Sequence, residues 1–316
     1  MNLFRKITRR FVALLLPVTV CSSCNVLHDD LSKCDFYLRF IYDYNMERQD
    51  LFAAQVSEVQ VFVFDPQGGY VQTLAEKGET LRQSGYRMYV PYDQKGNTFV
   101  VWAGKTGTYY TLPTLQTGDP ISKLTLSYNP QEDKSEARLD PIWHSGPAVM
   151  TFPEEEGTTQ TVSLVRTTND IRVSLRESNS AVADPARFEI ALTGANNACN
   201  YTHALLTPCR ELTYAPCGIA ATPTAAWLYT MRLVEGNELR FSVVEKASGR
   251  AITVDGEESI ELPRFLLKTK PEGMGAQEYL DRRYEWDIEL SYDPANYLAL
   301  SITINGWKLW FQSTDQ

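Results

Sequence analysis

The feature that most constrains this chain is a repeated alternation of apolar and polar residues. Apolar side chains occupy every second position over residues 36–42 and again over residues 284–292. A period of two residues is that of a β-strand with one buried face. The seventeen Tyr and six Trp of the chain also favour strands. Because turn residues separate these segments at short intervals, the sequence predicts an all-β protein with sandwich or barrel architecture.

Turn chemistry predicts three hairpins. Pro66 fixes φ in the Asp65–Gly69 turn, glycine supplies positive φ there, and Asn305-Gly306 suits a two-residue type I′ turn. A third turn is predicted at Glu235-Gly236-Asn237. The predicted strand pairs are 59–64 with 70–74, 225–234 with 239–246, and 298–304 with 307–312. Residues 59–64 are apolar on both faces, which predicts a central strand. The one predicted helix is short, over residues 276–283.

The middle of the chain has no linker rich in Pro, Gly or Ser. The best boundary is the polar run Arg166-Thr167-Thr168-Asn169-Asp170, which lies between two alternating segments. We therefore predict an N-terminal β-sandwich over residues 35–166 and a C-terminal β-sandwich over residues 167–316. A junction this short predicts that the two domains keep a nearly fixed relative orientation.

The N-terminus has the pattern of a secretory signal. Four basic residues lie in the first ten positions, and a mostly apolar run follows over residues 11–20. That run is too short for the roughly 20 residues that a transmembrane helix needs. Ser22-Ser23-Cys24 then resembles a lipobox, which predicts a signal peptide over 1–23, lipidation at Cys24 and a lipid-anchored tether over 24–34. Cys21 departs from the motif, which usually has Leu there, and cleavage without lipidation is the alternative.

Net charge restricts the classes of partner. The whole chain has a formal charge of −9, and removal of the four basic residues of the signal would bring it to −13. Nucleic-acid binding needs clustered Lys and Arg, and broad adhesion to anionic lipid needs the same. We therefore predict no nucleic-acid partner, and membrane contact only through N-terminal acyl chains.

Three cysteines lie close together in the second half of the chain. An oxidising compartment would permit a disulfide among Cys199, Cys209 and Cys217, although the sequence does not choose the pairing. The alternative is a Cys₃His zinc site that includes His203, but the spacing matches no compact zinc finger. We predict a disulfide and no metal.

Two segments resemble a phosphate-binding or calcium-binding motif, but each lacks a residue that the motif requires. Gly104-Lys105-Thr106 lacks the upstream Gly of a P-loop, which leaves a turn at the end of a strand. The calcium-loop pattern that starts at Asp43 has Arg48 in place of its central Gly. The sequence therefore predicts no enzyme, no cofactor and no small-molecule substrate.

Tryptophans are the other candidates for ligand binding. Trp143 is predicted to be a packed indole in a bulge or turn, with sugar stacking as the alternative. Trp307 and Trp310 lie three residues apart, on opposite faces of a strand, so at least one is predicted to be in the core.

An ordered set of segments gives a family resemblance. These segments are Ser22-Ser23-Cys24, then residues 30–34, 38–46, 61–65, 166–173 and 304–307. Together they resemble the FimB-type fimbrial anchor lipoproteins of Bacteroidales, the non-stalk members of the fimbrillin superfamily. The resemblance covers nearly the whole chain. The departures are Cys21 and the cysteine-rich loop over residues 199–217.

This resemblance implies a fold, a location and a role. The implied fold is two tandem transthyretin-like Greek-key β-sandwich domains. The implied location is the cell surface, with attachment to the outer membrane through Cys24. The implied role is structural: the protein holds the base of a fimbria, or pilus, and limits its length, with fimbrial stalk subunits as partners. The alternative is a surface lipoprotein that binds glycan or host protein as an adhesin.

The C-terminal segment is the candidate assembly strand. Trp307, Leu309 and Phe311 alternate with Lys308 and Trp310 after the Asn305-Gly306 turn. A strand added to the sheet of a neighbour gains backbone hydrogen bonds, and its alternate side chains fill pockets. Stalk fimbrillins polymerise by strand exchange, so we expect this segment to engage the first stalk subunit. The alternative is that the strand closes the sheet of its own chain.

Overall fold

The computed structural model describes residues 36–151, 158–217 and 224–311. The predicted signal peptide, the tether, Cys24 and Cys34 lie outside the described residues. The strands of the first half are β1 (Phe36–Ile41), β2 (Glu58–Phe64), β3 (Tyr70–Lys77), β4 (Met88–Val90), β5 (Thr98–Gly104), β6 (Tyr110–Thr111), β7 (Thr125–Tyr128), β8 (Lys134–Ser135), β9 (Ile142–Val149), β10 (Thr159–Ser163) and β11 (Val165–Arg166).

The second half is also mostly strand. Its strands are β12 (Asn169–Glu177), β13 (Val182–Ala183), β14 (Phe188–Gly194), β15 (Ala198–Asn200), β16 (Leu212–Tyr214), β17 (Ala226–Thr230), β18 (Arg240–Glu245), β19 (Ser259–Glu261), β20 (Glu285–Asp293), β21 (Leu298–Ile304) and β22 (Trp307–Trp310). The helices are α1 (Phe52–Gln55), α2 (Thr106–Tyr109), α3 (Leu262–Leu267) and α4 (Ala276–Arg282). The all-β prediction is confirmed. The predicted helix is α4, and the other three short helices were not predicted.

Two sheets enclose a first core in the N-terminal half. A three-stranded sheet of order β10-β1-β4 faces a five-stranded sheet of order β11-β9-β5-β2-β3. Phe36, Leu38, Phe40 and Tyr42 are buried together in this core, as their alternation predicts. β2 lies between β5 and β3 and contributes Val61 to the same core, so the prediction of a central strand is confirmed.

The other face of the five-stranded sheet is also buried. Phe62, Phe64 and Trp102 belong to a second and larger core cluster, which extends to Ile304. A sheet covered on both faces needs apolar residues at successive positions, and the sequence of β2 has them. The five-stranded sheet therefore separates the first core from a second core that the two halves share.

The C-terminal half is built around a six-stranded sheet. β13, β12, β20, β21 and β22 follow in that order, and β17 also pairs with β12. A five-stranded sheet of order β19-β18-β14-β16-β8 includes β8 from the first half of the chain. β7, also from the first half, pairs with β15. Strands from both halves therefore share sheets, and the domain boundary at residue 166 stays a prediction.

Two of the three predicted hairpins are confirmed. β2 pairs with β3, and β21 pairs with β22 across Asn305 and Gly306, whose φ angles are 49° and 84°. The hairpin at Glu235-Gly236-Asn237 is wrong, because β17 pairs with β12 whereas β18 pairs with β14 and β19. Buried Met231 and Leu233 lie in the connection, so the chain there crosses from one sheet to the other.

Candidate functional site: the C-terminal edge strand and the buried junction

The candidate assembly strand is an edge strand of its own sheet. β22 is the last strand of the six-stranded sheet, and Leu309 lies opposite Ile302 of β21. The type I′ turn at Asn305-Gly306 sets this register. Leu309 and Phe311 are half-buried against the larger core, and the ring of Phe311 lies 6.3 Å from that of Phe265. The strand is therefore held in a sheet of its own chain, as the alternative interpretation described.

Two large rings of this strand face solvent. Trp307 is 69% exposed and Trp310 is 71% exposed. The expectation that at least one would lie in the core is wrong, because no described strand lies beyond β22 to cover the rings. The ammonium of Lys308 lies 3.9 Å from the ring centroid of Trp310. A cation against a ring stabilises an exposed aromatic side chain modestly.

The outer edge of β22 presents backbone groups to solvent. Phe311 donates its N–H to Leu300 O at 3.1 Å, so residues 307, 309 and 311 form the ladder with β21. Because backbone direction alternates along an antiparallel strand, Lys308 and Trp310 direct their N–H and C=O groups away from β21. Among the described strands none pairs with that side. An open edge of this kind can accept another strand.

The predicted boundary is a buried polar junction. Arg166 is 6% exposed, and Thr167 and Thr168 are also buried. The Arg166 guanidinium donates to Asp170 Oδ1 at 2.9 Å and lies 3.9 Å from the ring centroid of Tyr284. A buried charge is stable when a partner and hydrogen bonds satisfy it. The short polar run therefore binds the two halves together and is not a solvated linker.

Two histidines meet beside this run. The rings of His144 and His203 are stacked with centroids 4.6 Å apart, and Trp102 packs on His144 at 4.4 Å. His144 Nε2 donates to Tyr201 O at 3.1 Å, and His203 Nε2 is hydrogen-bonded to Thr167 Oγ1 at 2.9 Å. These contacts join β9, the boundary run and the turn after β15.

Burial keeps both imidazoles neutral. It lowers the pKa of His144 to about 3, and the nearby Arg232 guanidinium acts in the same direction. Burial also holds the pKa of His203 well below its usual value, with further contributions from His144 and Arg232. A neutral imidazole needs no counterion, so the two rings can stack at the junction.

An ion pair supports the histidine turn. Arg232 donates to both carboxylate oxygens of Asp281, at 2.8 and 2.7 Å, and also to His203 O. Both side chains are nearly buried, at 13% and 10% exposure. Asn200 Oδ1 accepts the N–H of Thr202, which shapes the same turn. No sequence motif links these positions, so sequence reasoning did not find this cluster.

The three cysteines of the predicted disulfide lie within the described residues. Cys199, Cys209 and Cys217 are free thiols in this structure, and burial raises the pKa of Cys199 to about 12. Cys209 Sγ donates to Asn197 Oδ1 at 2.8 Å. Non-reducing mass spectrometry would test the disulfide, which stays a prediction. In the described ranges, no group of three His, Cys, Asp or Glu side chains could hold a metal ion.

Two other sequence candidates have packing roles. Trp143 is 1% exposed in β9 and packs edge-on against Tyr42 at 5.7 Å, so sugar stacking by this indole is wrong. Gly104 ends β5 with φ of +100°, and a Cβ there would lie 2.2 Å from Pro141 O. The interpretation of that segment as a strand-end turn is confirmed.

No helix of the described part is long and apolar enough to cross a membrane.

The fold has relatives among solved structures. Two proteins of Bacteroides thetaiotaomicron are each 28% identical, with 90% of this chain and 100% of theirs aligned. One is provisionally named a polysaccharide-binding protein, with a TM-score of 0.81, and the other an adhesin, with a TM-score of 0.77. The fimbrial anchor protein Mfa2 of Porphyromonas gingivalis is 16% identical over 88% of this chain and 99% of its own, with a TM-score of 0.66, and shares the fold.

Family membership rests on the sequence as a whole. A search of curated protein sequences finds no match. The family model of the fimbrillin-A associated anchor proteins Mfa1 and Mfa2 matches residues 31–313, which is nearly the whole chain. The resemblance found in the sequence is confirmed, and this family is one of fimbrial anchors and not of enzymes. The chain therefore belongs to the family of fimbrillin-A associated anchor proteins Mfa1 and Mfa2.

Proposed function

We propose that this protein is a surface lipoprotein that holds the base of a fimbria at the outer membrane and limits its length. The family match supports the fimbrial role. The Ser22-Ser23-Cys24 motif supports acylation at Cys24, after removal of residues 1–23. Each buried CH₂ of an acyl chain contributes about 0.8 kcal/mol, so two or more chains hold a protein stably.

Tethering explains how an anchor would limit length. A subunit fixed to the membrane at its N-terminus leaves no room for a further subunit on the membrane side. The polymer then ends at this protein, and it is joined through a surface on the folded body. The tether over residues 24–34 spaces that body from the lipid.

The open edge of β22 is the observation that supports a contact surface for the stalk subunit. A strand of the first stalk subunit would pair with the backbone groups of Lys308 and Trp310. The exposed rings of Trp307 and Trp310 lie on opposite faces of the sheet, so they would cover the added strand from both sides. Aromatic rings bury large areas at interfaces, which gives such a contact affinity and a fixed register. In this arrangement β22 stays in its own sheet and accepts a strand.

A backbone substitution tests the edge. Lys308→Pro removes an N–H that points away from β21, so the ladder to β21 keeps its bonds and stability changes by less than about 1 kcal/mol. We expect this variant to reach the outer membrane while fimbriae detach into the medium. Lys308→Ala is the matched control, since it removes the side chain and keeps the N–H, and it should retain fimbriae.

A second arm tests the tether. Cys24→Ala should release the anchor from the membrane, or leave it as an unprocessed precursor, and should abolish labelling by a fatty-acid analogue. Labelling that survives in Cys24→Ala contradicts the lipid anchor. If Lys308→Pro cells carry attached fimbriae of normal length, the proposal that the β22 edge binds the stalk is wrong. That result would not affect the proposal of a lipid anchor at Cys24.

A further inference from the structure

A groove lies on the side of the N-terminal sandwich, far in sequence from β22. It runs between the free edges of β3 and β4 and is closed below by the connection over residues 78–87, with a volume of about 760 Å³. β3 ends the five-stranded sheet and β4 ends the three-stranded sheet. The groove is open along its length, so it suits an extended ligand better than an enclosed small molecule.

Three tyrosines form the aromatic part of this groove. Tyr89 is 54% exposed, and its ring meets that of Tyr37 edge-on at 6.1 Å. The guanidinium of Arg87 lies 4.7 Å from the ring centroid of Tyr37 and donates to Thr159 Oγ1 at 3.3 Å. Arg87 and Tyr37 therefore support each other, and Tyr89 is the ring most open to a ligand. Tyr86 lines the remaining side.

Polar side chains also line the groove. Those that line the groove are Thr73, Glu76, Thr80, Gln83 and Ser84. Burial and the Glu76 carboxylate raise the pKa of Tyr86 to about 12, so its hydroxyl keeps its proton. The groove thus combines aromatic faces with donors and acceptors of hydrogen bonds. The C–H face of a sugar ring can pack on a tyrosine, while its hydroxyls need such polar partners.

Other occupants fit less well. Leu81 and Met88 beneath the groove are buried at 0% and 6% exposure, so the core here is closed and lacks no strand. Glu76 and Lys77 end β3, and charged residues on an edge discourage the addition of a strand. A single arginine in a groove that also contains the Glu76 carboxylate does not make a phosphate site, and an open, half-polar groove does not suit an acyl chain.

We propose that this groove is a binding site for a glycan chain, with Tyr89 as the stacking ring and Arg87 and Glu76 as hydrogen-bonding partners. This activity is separate from fimbrial anchoring. It uses residues of the other half of the chain and none of β22, so either function can fail without the other.

The test is glycan binding by the full chain. An array of plant cell-wall, mucin-type and bacterial capsular oligosaccharides is probed first, and the strongest ligand is then titrated by calorimetry. We expect Tyr89→Ala to weaken binding at least tenfold, Arg87→Ala to weaken it several-fold, and Tyr89→Phe to remain within about threefold because the ring is kept. Trp310→Ala is the matched control, an exposed ring in the other half of the chain, and should bind normally.

Three results would overturn the proposal. The first is that the wild-type chain retains no oligosaccharide of the array. The second is that Tyr89→Ala and Arg87→Ala both bind as the wild type does. The third is that Trp310→Ala loses binding instead, which would move the ligand to β22. Thermal unfolding of each variant separates loss of the site from loss of the fold.

Discussion

The junction between the two halves and the C-terminal edge reverse the usual distribution of polar and apolar groups. At the junction, Arg166, His144 and His203 are buried. At the edge, Trp307 and Trp310 are the most exposed large apolar side chains of the described chain. Contacts between segments hold these groups: Arg166 packs on the ring of Tyr284, His144 is hydrogen-bonded to Tyr201 O, and His203 is hydrogen-bonded to Thr167. The two tryptophan rings at the edge are exposed to solvent instead. The junction therefore holds the two halves of the chain together, whereas the edge is available to a partner.

The largest expected effect is at the ion pair of the junction. Asp281→Ala leaves the nearly buried Arg232 without its partner, which costs about 3–5 kcal/mol of unfolding free energy. Urea denaturation measures this loss. Asp287→Ala is the control, since the Arg172–Asp287 pair is on the surface with the carboxylate 57% exposed, and it should cost less than about 1 kcal/mol. Equal effects of the two changes would contradict a junction that depends on buried charge.

Acidification tests the histidines of the same region. Both imidazoles are neutral in the folded state because burial depresses their pKa values, to about 3 for His144. In the unfolded state they take up protons near pH 6.5. The folded protein therefore has full stability above that pH and loses it as the pH falls, by about 1.4 kcal/mol per histidine and pH unit. Between pH 7 and pH 5.5 the two histidines together should account for about 2.5 kcal/mol.

The control for this pH dependence is His144→Phe. It keeps a ring against Trp102 and removes one titrating group, so the loss attributable to histidine between pH 7 and pH 5.5 should fall by half. Chemical denaturation at a series of pH values measures it. A slope that does not change in His144→Phe would show that His144 takes up its proton equally in the folded and unfolded states, so that burial does not lower its pKa.

A smaller effect distinguishes the two faces of the edge strand. Leu309→Ala removes a half-buried side chain of the larger core and should cost about 1.5 kcal/mol. Trp310→Ala removes an exposed ring and should change stability by less than about 0.5 kcal/mol. Fimbrial attachment separates the two variants further: Trp310→Ala should shed fimbriae although it is the more stable of the two. A large loss of stability in Trp310→Ala would place that ring in the core after all.

Local pattern predicted the elements whose partners are near in sequence. The alternation at Phe36 to Phe40 and the Asn305-Gly306 turn gave β1 and the β21–β22 hairpin correctly. The failure at β17 and β18 has a physical reason: a glycine turn permits a hairpin, but the pairing of β17 with β12 decides the sheet. The contact of His144 with His203 joins distant segments, and neither has a local signal. The exposure of Trp307 depends on what lies beside the last strand, which its own sequence does not specify.

The outer edge of β22 is the proposed contact surface for the fimbria. The most direct measurement places a photo-crosslinking amino acid at Lys308 in cells that carry fimbriae, irradiates them, and identifies the adduct by mass spectrometry. A second probe at Tyr89 serves as the comparison. We expect the probe at Lys308 to capture a fimbrial stalk subunit and the probe at Tyr89 to capture none. A stalk adduct at Tyr89, with none at Lys308, would contradict this proposal.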